Sequence, residues 1–319
     1  MDDKFLITTL YRQLLGREPD KPGLTHFLGI LENAGDMRSV MTALLESDEY
    51  RLRHGGEMPL LEFRLSRPVC VVDVGAQKLS SEEHLYAPLL RAGLPCRCIG
   101  FEPLGEGRVE LEGSGAEFVY YPQFIGDGSM QTFHLANDDA TSSLLPFDAS
   151  YCSQFNHLES LHTVSRERVM TTRLDDVLAS EAAVDLLKLD IQGFELAALR
   201  GATELLKRTG VVHCEVGFAP IYAEQPYFSE IELALREAGF HFVDFTAMGR
   251  YTYTHVPRPT GRAERLNWAD AVFFRDIPAD DANAVSGQAA IAAHVYGKFG
   301  LAQTLLQGQG PNGRVWRQK

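Results

Sequence analysis

Residues 185–195 read Asp-Leu-Leu-Lys-Leu-Asp-Ile-Gln-Gly-Phe-Glu. A short apolar run closes on an acid, Asp190, and turns through Gly193 into a helical pattern that begins at Phe194. Repeated along a chain, that strand-turn-helix step builds a parallel sheet with crossover helices. The texture recurs from Pro68 onwards. Strands are predicted at Val69–Val74, Cys96–Phe101, Phe118–Tyr121, Val184–Asp190, Val211–Phe218, His241–Phe245 and Ala271–Phe274, with helices at Glu82–Ala92, Phe194–Lys207 and Ser229–Glu237. The expected fold class is therefore α/β, a doubly wound, mostly parallel sheet. Two stretches, Gln131–Thr172 and Thr246–Asn267, are too long for ordinary strand-to-helix connections and read as functional loops or lids.

Outward from that core the pattern changes. Phe5 to Arg51 carries apolar residues at helical spacing only (Phe5, Leu6, Leu10 and Leu14; Leu24, Phe27, Leu28 and Leu31; Val40, Leu44 and Leu45), and Gly55-Gly56 with Pro59 reads as a linker. At the other end Ile291, Val295, Phe299 and Leu306 share a helical face. The expected domains are a small all-α docking module at 1–55, the sheet domain at 56–280 and a C-terminal helical tail at 281–319.

A chain of 319 residues is large enough to bury roughly 75% of its unfolded surface without metals or disulfides. Its formal charge of −13 repels nucleic-acid phosphates and anionic lipid surfaces, so no nucleic-acid partner is expected. No apolar run approaches the ~20 residues of a membrane span, and Met1-Asp2-Asp3-Lys4 lacks the start of a secretory signal. The five cysteines, odd in number and mostly inside apolar runs, suit a reducing compartment, and the expected location is cytoplasmic.

Three strand ends carry the candidate chemistry. Val71-Val72-Asp73-Val74-Gly75-Ala76 ends a strand in an acid and a glycine, and glycine lets a nucleotide-like ligand approach the backbone. The second and third glycines of a dinucleotide fingerprint are missing, which argues against NAD or FAD. Glu102 closes the next strand, where a carboxylate accepts hydrogen bonds from both hydroxyls of a ribose. Asp190 closes the strand quoted first and faces the same crevice, since ligands of open α/β sheets sit outside the carboxyl ends of the strands. Glu195 reads as a cap in the first helical turn, and Lys188, mid-strand, needs a partner if buried. Cys96-x-Cys98 is too short for a zinc pair, Asn137-Asp138-Asp139 reads as solvated loop, and no metal is expected. Arg250, Tyr251, Tyr253 and His255 fit either a sugar contact or a plain surface loop.

From Val71 to about Phe245 the chain resembles the FkbM-type methyltransferases, a branch of the S-adenosylmethionine-dependent class with a Rossmann-like sheet. The resemblance rests on Val72 to Ala76, Gly100-Phe101-Glu102-Pro103, Thr141-Ser142-Ser143-Leu144, Thr172-Arg173-Leu174-Asp175, and Asp185 through Glu195 followed by Leu199-Arg200-Gly201-Ala202. It implies S-adenosylmethionine as cofactor, bound at the Asp73, Gly75 and Ala76 turn, with its ribose on Glu102, its adenine near Phe124 and Asp127, and its methyl group near Asp190. The implied reaction is O-methylation of a hydroxyl on a sugar, glycan or polyketide-like acceptor. Asp190 is the first candidate base, with His213 and Glu215 behind it, and Ser142, Ser143 and Tyr251 are candidate acceptor contacts. One departure is Leu79, where the family commonly has glycine; it favours the alternative of an inactive scaffold acting through its N-terminal module. That module, with Tyr11 to Asp20 and Leu45 to Tyr50, resembles phycobilisome-linker-like domains, which implies a protein partner.

Overall fold

The computed structural model describes residues 3–34, 37–45, 47, 49–50, 61–76, 84–104, 116–256 and 263–311. The chain divides into two compact units, Met1–Glu62 and Phe63–Lys319. In the first, helices Asp3–Leu10, Lys21–Ala34 and Met37–Leu45 enclose a core of Ile7, Tyr11, Leu15, Phe27, Val40 and Leu44. The opening helix continues as a wider turn, Tyr11–Leu15, and stops at Gly16, whose left-handed backbone returns its N–H to the Arg12 carbonyl at 3.2 Å. Arg17 grips both carboxylate oxygens of Glu49 at 2.5 Å and lies 5.1 Å from the Tyr11 ring, so the turn after the first helix is tied to the segment after the third.

The second unit is built on a seven-stranded sheet. Its strands are β1 (Val69–Val74), β2 (Cys96–Phe101), β3 (Glu117–Tyr121), β6 (Val184–Leu189), β7 (Thr209–Gly217), β8 (Phe240–Tyr251) and β9 (Arg265–Arg275), in the order β3-β2-β1-β6-β7-β9-β8. β3, β2, β1, β6 and β7 run parallel, while β9 is antiparallel to both of its neighbours. The remaining strands, β4 (Met130–Ala136) and β5 (Thr163–Met170), form a separate antiparallel pair.

Side-chain alternation sorts the sheet into two faces. Val72, Val74, Leu187, Leu189, Val212, Cys214, Val216, Ala271 and Phe273 point one way, into a single apolar core with Leu196, Leu199, Leu205, Ile231 and Leu235 of the covering helices. The opposite face holds Asp73, Lys188, His213, Glu215 and Asp270, placed together by the register of β1, β6, β7 and β9. The C-terminal helix Ala282–Ala290 is fastened to the sheet by Gln288, whose Nε2 donates to the carbonyls of Gly210 and Arg275, both at 2.8 Å. At the amino end of β6, buried Asp185 accepts two hydrogen bonds from Arg67, at 2.6 and 2.9 Å, and one from the Cys70 N–H at 2.8 Å. All five cysteines are buried and free.

The structure departs from the sequence reading in the two long excursions. Thr246–Tyr251 and Arg265–Asn267 are the outer ends of the paired strands β8 and β9, with residues 257–262 outside the described residues, and Gln131–Thr172 contains most of the β4–β5 pair. The sequence period is weak in both, because β5 is almost wholly exposed and the half-buried face of outer β8 is made of Ala247, Gly249 and Tyr251 opposite Thr246, Met248 and Arg250. The predicted helix Phe194–Lys207 is two short helices, Glu195–Arg200 and Thr203–Leu206. The stretch from 281 onwards carries Ala282–Ala290, Ile291–Val295 and Phe299–Leu306 and belongs to the second unit. Gln77, Lys78, Leu79 and the start of the helix predicted at Glu82 lie outside the described residues.

Because each unit closes its own core, deleting residues 1–62 is expected to leave a sheet unit that unfolds cooperatively with native near-ultraviolet dichroism. A truncated chain without a cooperative thermal transition contradicts this.

Candidate active site

The carboxyl ends of β1, β2 and β6 are knitted together by backbone. Gly75 and Ala76 both donate to the Phe101 carbonyl at 3.1 Å, and Asp190 N–H donates to the Val74 carbonyl at 3.1 Å. Gly75 has φ +80°, and a Cβ there would lie 1.9 Å from the Asp190 carbonyl oxygen, so only glycine permits this junction. Above it opens a cleft of about 600 Å³.

Most of the residues singled out from the sequence meet in that cleft. Asp73, Gly75 and Glu102 stand at the carboxyl ends of β1 and β2, Asp190 lies directly against Gly75 at the end of β6, Glu215 and Tyr251 stand on β7 and β8, and Phe124, Ser142 and Ser143 also line it. Three do not line it. Ala76 is buried beside the β2 end, Asp127 is exposed in a turn where it accepts from Ser129, and His213 is buried in β7 against Tyr296 and Asp270. The Ser143 hydroxyl is already engaged, donating to the Gln192 carbonyl at 2.6 Å and accepting from Leu145 N–H at 2.9 Å, so it staples the β4–β5 excursion to the turn after β6.

The electrostatic centre is Lys188. Its Nζ donates to Asp73 Oδ1 at 3.0 Å and to the Gly75 carbonyl at 3.2 Å, and stands 3.6 Å from Asp190 Oδ2. Burial works to lower the Lys188 pKa, but Asp73 and Asp190 outweigh it and raise the value. Burial likewise works to raise Asp73, yet Lys188 and the neighbouring His84, 3.7 Å away, hold its carboxyl below the ordinary value.

Around Asp190 the sign of the problem reverses, for acids outnumber bases. Gln192 bridges two of them, its Nε2 donating to Asp190 Oδ1 at 3.0 Å and to Glu215 Oε2 at 3.1 Å. Gln192 has φ +57°, a conformation uncommon for a side chain of this size and a mark of functional turns. Burial, with repulsion from Asp190, Glu195 and Asp270, pushes Glu215 well above the carboxylate range. Glu195 caps the turn by accepting from Ile191 N–H at 2.8 Å and Gly193 N–H at 3.2 Å, yet burial raises it to about 7.

The β1–β3 end has groups still seeking a partner. His84 Nε2 and Gln123 Oε1 are buried with no hydrogen-bond partner among the described residues, and both side chains line the cleft. Glu102 accepts from Leu104 N–H at 2.9 Å, and burial raises its pKa. A polar, hydroxylated ligand satisfies such a set.

A family model described as the methyltransferase FkbM domain matches residues 73–242, just over half of the chain, from the end of β1 through β7. The chain belongs to the FkbM methyltransferase family. The family's methyl donor is S-adenosylmethionine, and the unsatisfied His84 and Gln123 that line the cleft with Glu102 fit a nucleoside with an amino-acid tail. A domain of unknown function, DUF4214, matches residues 1–53. Among solved structures, the chain is similar to methyltransferase FkbM from Methylobacillus flagellatus KT, at 16% identity and a TM-score of 0.36, covering 83% of this chain and 58% of that one. It is also similar to magnesium protoporphyrin IX methyltransferase (ChlM) from Synechocystis PCC 6803 with bound SAM, at 12% identity and a TM-score of 0.28, covering 85% and 97%. A SAM-dependent methyltransferase from Anabaena variabilis ATCC 29413 matches at 11% identity and a TM-score of 0.29, covering 86% and 96%. No curated protein matches the chain in sequence.

The sequence reading did not single out His84, Gln123, Gln192, Trp268 or Asp270 as cleft residues. Gln192 carried a signal, the positive-φ turn that Gly193 announces; the others reach the cleft only through tertiary contacts. Among the described residues no cluster of His, Cys, Asp and Glu is arranged to hold a metal ion, and no helix is long and apolar enough to cross a membrane.

Two outcomes are expected here. Glu102→Ala should weaken S-adenosylmethionine binding about 10- to 100-fold by calorimetry, the equivalent of one charge-assisted hydrogen bond. Lys188→Met should cost about 3–5 kcal/mol of stability at neutral pH, because it leaves Asp73 charged and buried. The Asp73 carboxyl is depressed in the wild type, so its favourable pairing is present above the unfolded pKa of ~3.9 and lost as pH falls through the folded value; the gap between variant and wild type should narrow in acid.

Proposed function

We propose that the protein is an O-methyltransferase that moves a methyl group from S-adenosylmethionine to a hydroxyl of a sugar, glycan or polyketide-like metabolite. The observation that carries this reading is the Asp190–Gln192–Glu215 bridge, an acid pair on the β6–β7 side of the cleft that begins directly beside Gly75. S-adenosylmethionine, when bound, supplies a carbon already activated by its sulfonium.

The residues of the chain divide the remaining tasks. Glu102 is placed to take the ribose hydroxyls, with Gln123, Phe124 and His84 around the rest of the donor. Phe124, Phe133, Leu144 and Leu104 form an apolar wall that keeps water out. The acceptor O–H is oriented toward the acid pair, which lowers the entropy of alignment. Glu215 would take the hydroxyl proton as the acceptor oxygen bonds to the methyl carbon and the carbon–sulfur bond breaks, the donor leaving as a neutral thioether, and its raised pKa makes it a stronger base than an ordinary carboxylate. Asp190 holds the approach through Gln192 and is tied electrostatically to Lys188. This ordering moves the base from Asp190, the first candidate from the sequence, to Glu215. A protein partner for the N-terminal module belongs to the same proposal, on the ground that this module closes its own core.

Incubation with isotope-labelled donor and a panel of glycosides and hydroxylated metabolites, read by mass spectrometry, should show a gain of one methyl. Donor bound with no acceptor consumed points instead to a scaffold. Glu215→Gln should cut single-turnover transfer by about 10²–10⁴. The base must be ionised, so the wild-type rate should rise with pH through a limb above the carboxylate range, and that limb should vanish in the variant.

A further inference from the structure

Asp270 lies opposite Glu215 in the β7–β9 ladder, and both side chains line the cleft. Opposed residues of antiparallel strands have Cβ atoms about 4.5–5.5 Å apart on one face, so the two carboxylates stand side by side. Each has one oxygen spoken for: Glu215 Oε2 accepts from Gln192, and Asp270 Oδ2 lies 3.6 Å from His213 Nε2. Among the described residues, Glu215 Oε1 and Asp270 Oδ1 have no hydrogen-bond donor, although neither is buried.

His213 is itself locked. Its side chain is 5% exposed, its Nδ1 lies 3.3 Å from Tyr296 Oη, and the two rings are within 9° of parallel. A Tyr296 O–H donated to Nδ1 leaves the imidazole proton on Nε2, directed at Asp270. Two residues before Asp270, on the same face, is Trp268, whose indole lies flat across Gly249: a Cβ there would be 2.0 Å from its Nε1. The result is a flat aromatic surface beside two adjacent open carboxylate acceptors.

Resting on the methyl-transfer reading, we propose that Asp270 determines acceptor specificity by taking a second hydroxyl adjacent to the one presented to Glu215, with His213 and Tyr296 as its positioning residues. The preferred acceptor is then a ring that bears neighbouring hydroxyls and lies against Trp268, and the C-terminal helical segment serves the site through Tyr296.

The test uses the full chain loaded with S-adenosylhomocysteine and, as probes, methyl hexosides with their monodeoxy analogues, with affinities measured by ligand-observed NMR. Hexosides should bind about 10- to 100-fold more tightly than the analogue missing one of the adjacent hydroxyls, the range of a hydrogen bond to a charged group. Asp270→Ala should abolish that discrimination while leaving the affinity for S-adenosylhomocysteine unchanged. Tyr296→Phe, which keeps the packed ring, should lose part of it, and carries the test if Asp270→Ala does not fold. Full discrimination in both variants overturns the inference, as does failure of every hexoside to bind. If the wild type does not bind S-adenosylhomocysteine, the methyl-transfer reading falls as well; binding of that nucleoside with indiscriminate hexoside binding sinks only the role of Asp270.

Discussion

A lysine inside a parallel sheet is costly unless its charge is met, and Lys188 is met three times over, by Asp73, the Gly75 carbonyl and Asp190. That cation links the end of β1 to the end of β6 across their ladder, so the two strand ends that frame the cleft are held in fixed relation. With Gly75 pressed against the Asp190 carbonyl, the junction tolerates neither a side chain at the glycine nor an unpaired charge beneath it. The family's chemistry depends on placing donor and acceptor in line, and this junction is where the two halves of the cleft meet.

The same cation sets an electrostatic gradient along the cleft. Near it, Asp73 is held ionised; beyond it, Glu215 in the cleft and the fully buried Glu195 behind it sit among other acids, and burial pushes both upward. Two carboxylates on one face of the sheet therefore differ in their readiness to take a proton, one held ionised by its cation and one pushed above the ordinary carboxylate range. The bridging amide of Gln192, held in an uncommon backbone conformation and stapled through Ser143 to the β4–β5 excursion, keeps the second group in place.

Much was legible from the chain alone. Strands β1, β2, β6 and β7 are buried on both faces, so they read as largely apolar runs rich in β-branched residues, and the acid at or just past each of their carboxyl ends marks where the strand gives way to a turn. Gly75, Glu102 and Asp190 could be assigned to one crevice because strands of a parallel sheet end on the same side. The lysine's need for a partner was visible, although its partner was not. The β4–β5 pair and the outer β8–β9 strands read as loops from sequence, since β5 is almost wholly exposed and the half-buried side of outer β8 carries the small residues Ala247 and Gly249, which leave no hydrophobic period to detect.

The sequence by itself determined the fold class, the order of the motifs and the family, because those follow from local hydrophobic period and from residues fixed by backbone need. Only the tertiary structure decided that Lys188 pairs with Asp73, that Gln192 joins Asp190 to Glu215, and that Asp270, Trp268 and Tyr296 belong with residues far earlier in the chain. His213 shows the limit most clearly: its place in β7 was foreseen, yet whether it met the cleft or a neighbour depended on β9 and the C-terminal helical segment packing against it. Pairings of that kind arise from strand register and long-range packing, and no local pattern encodes them.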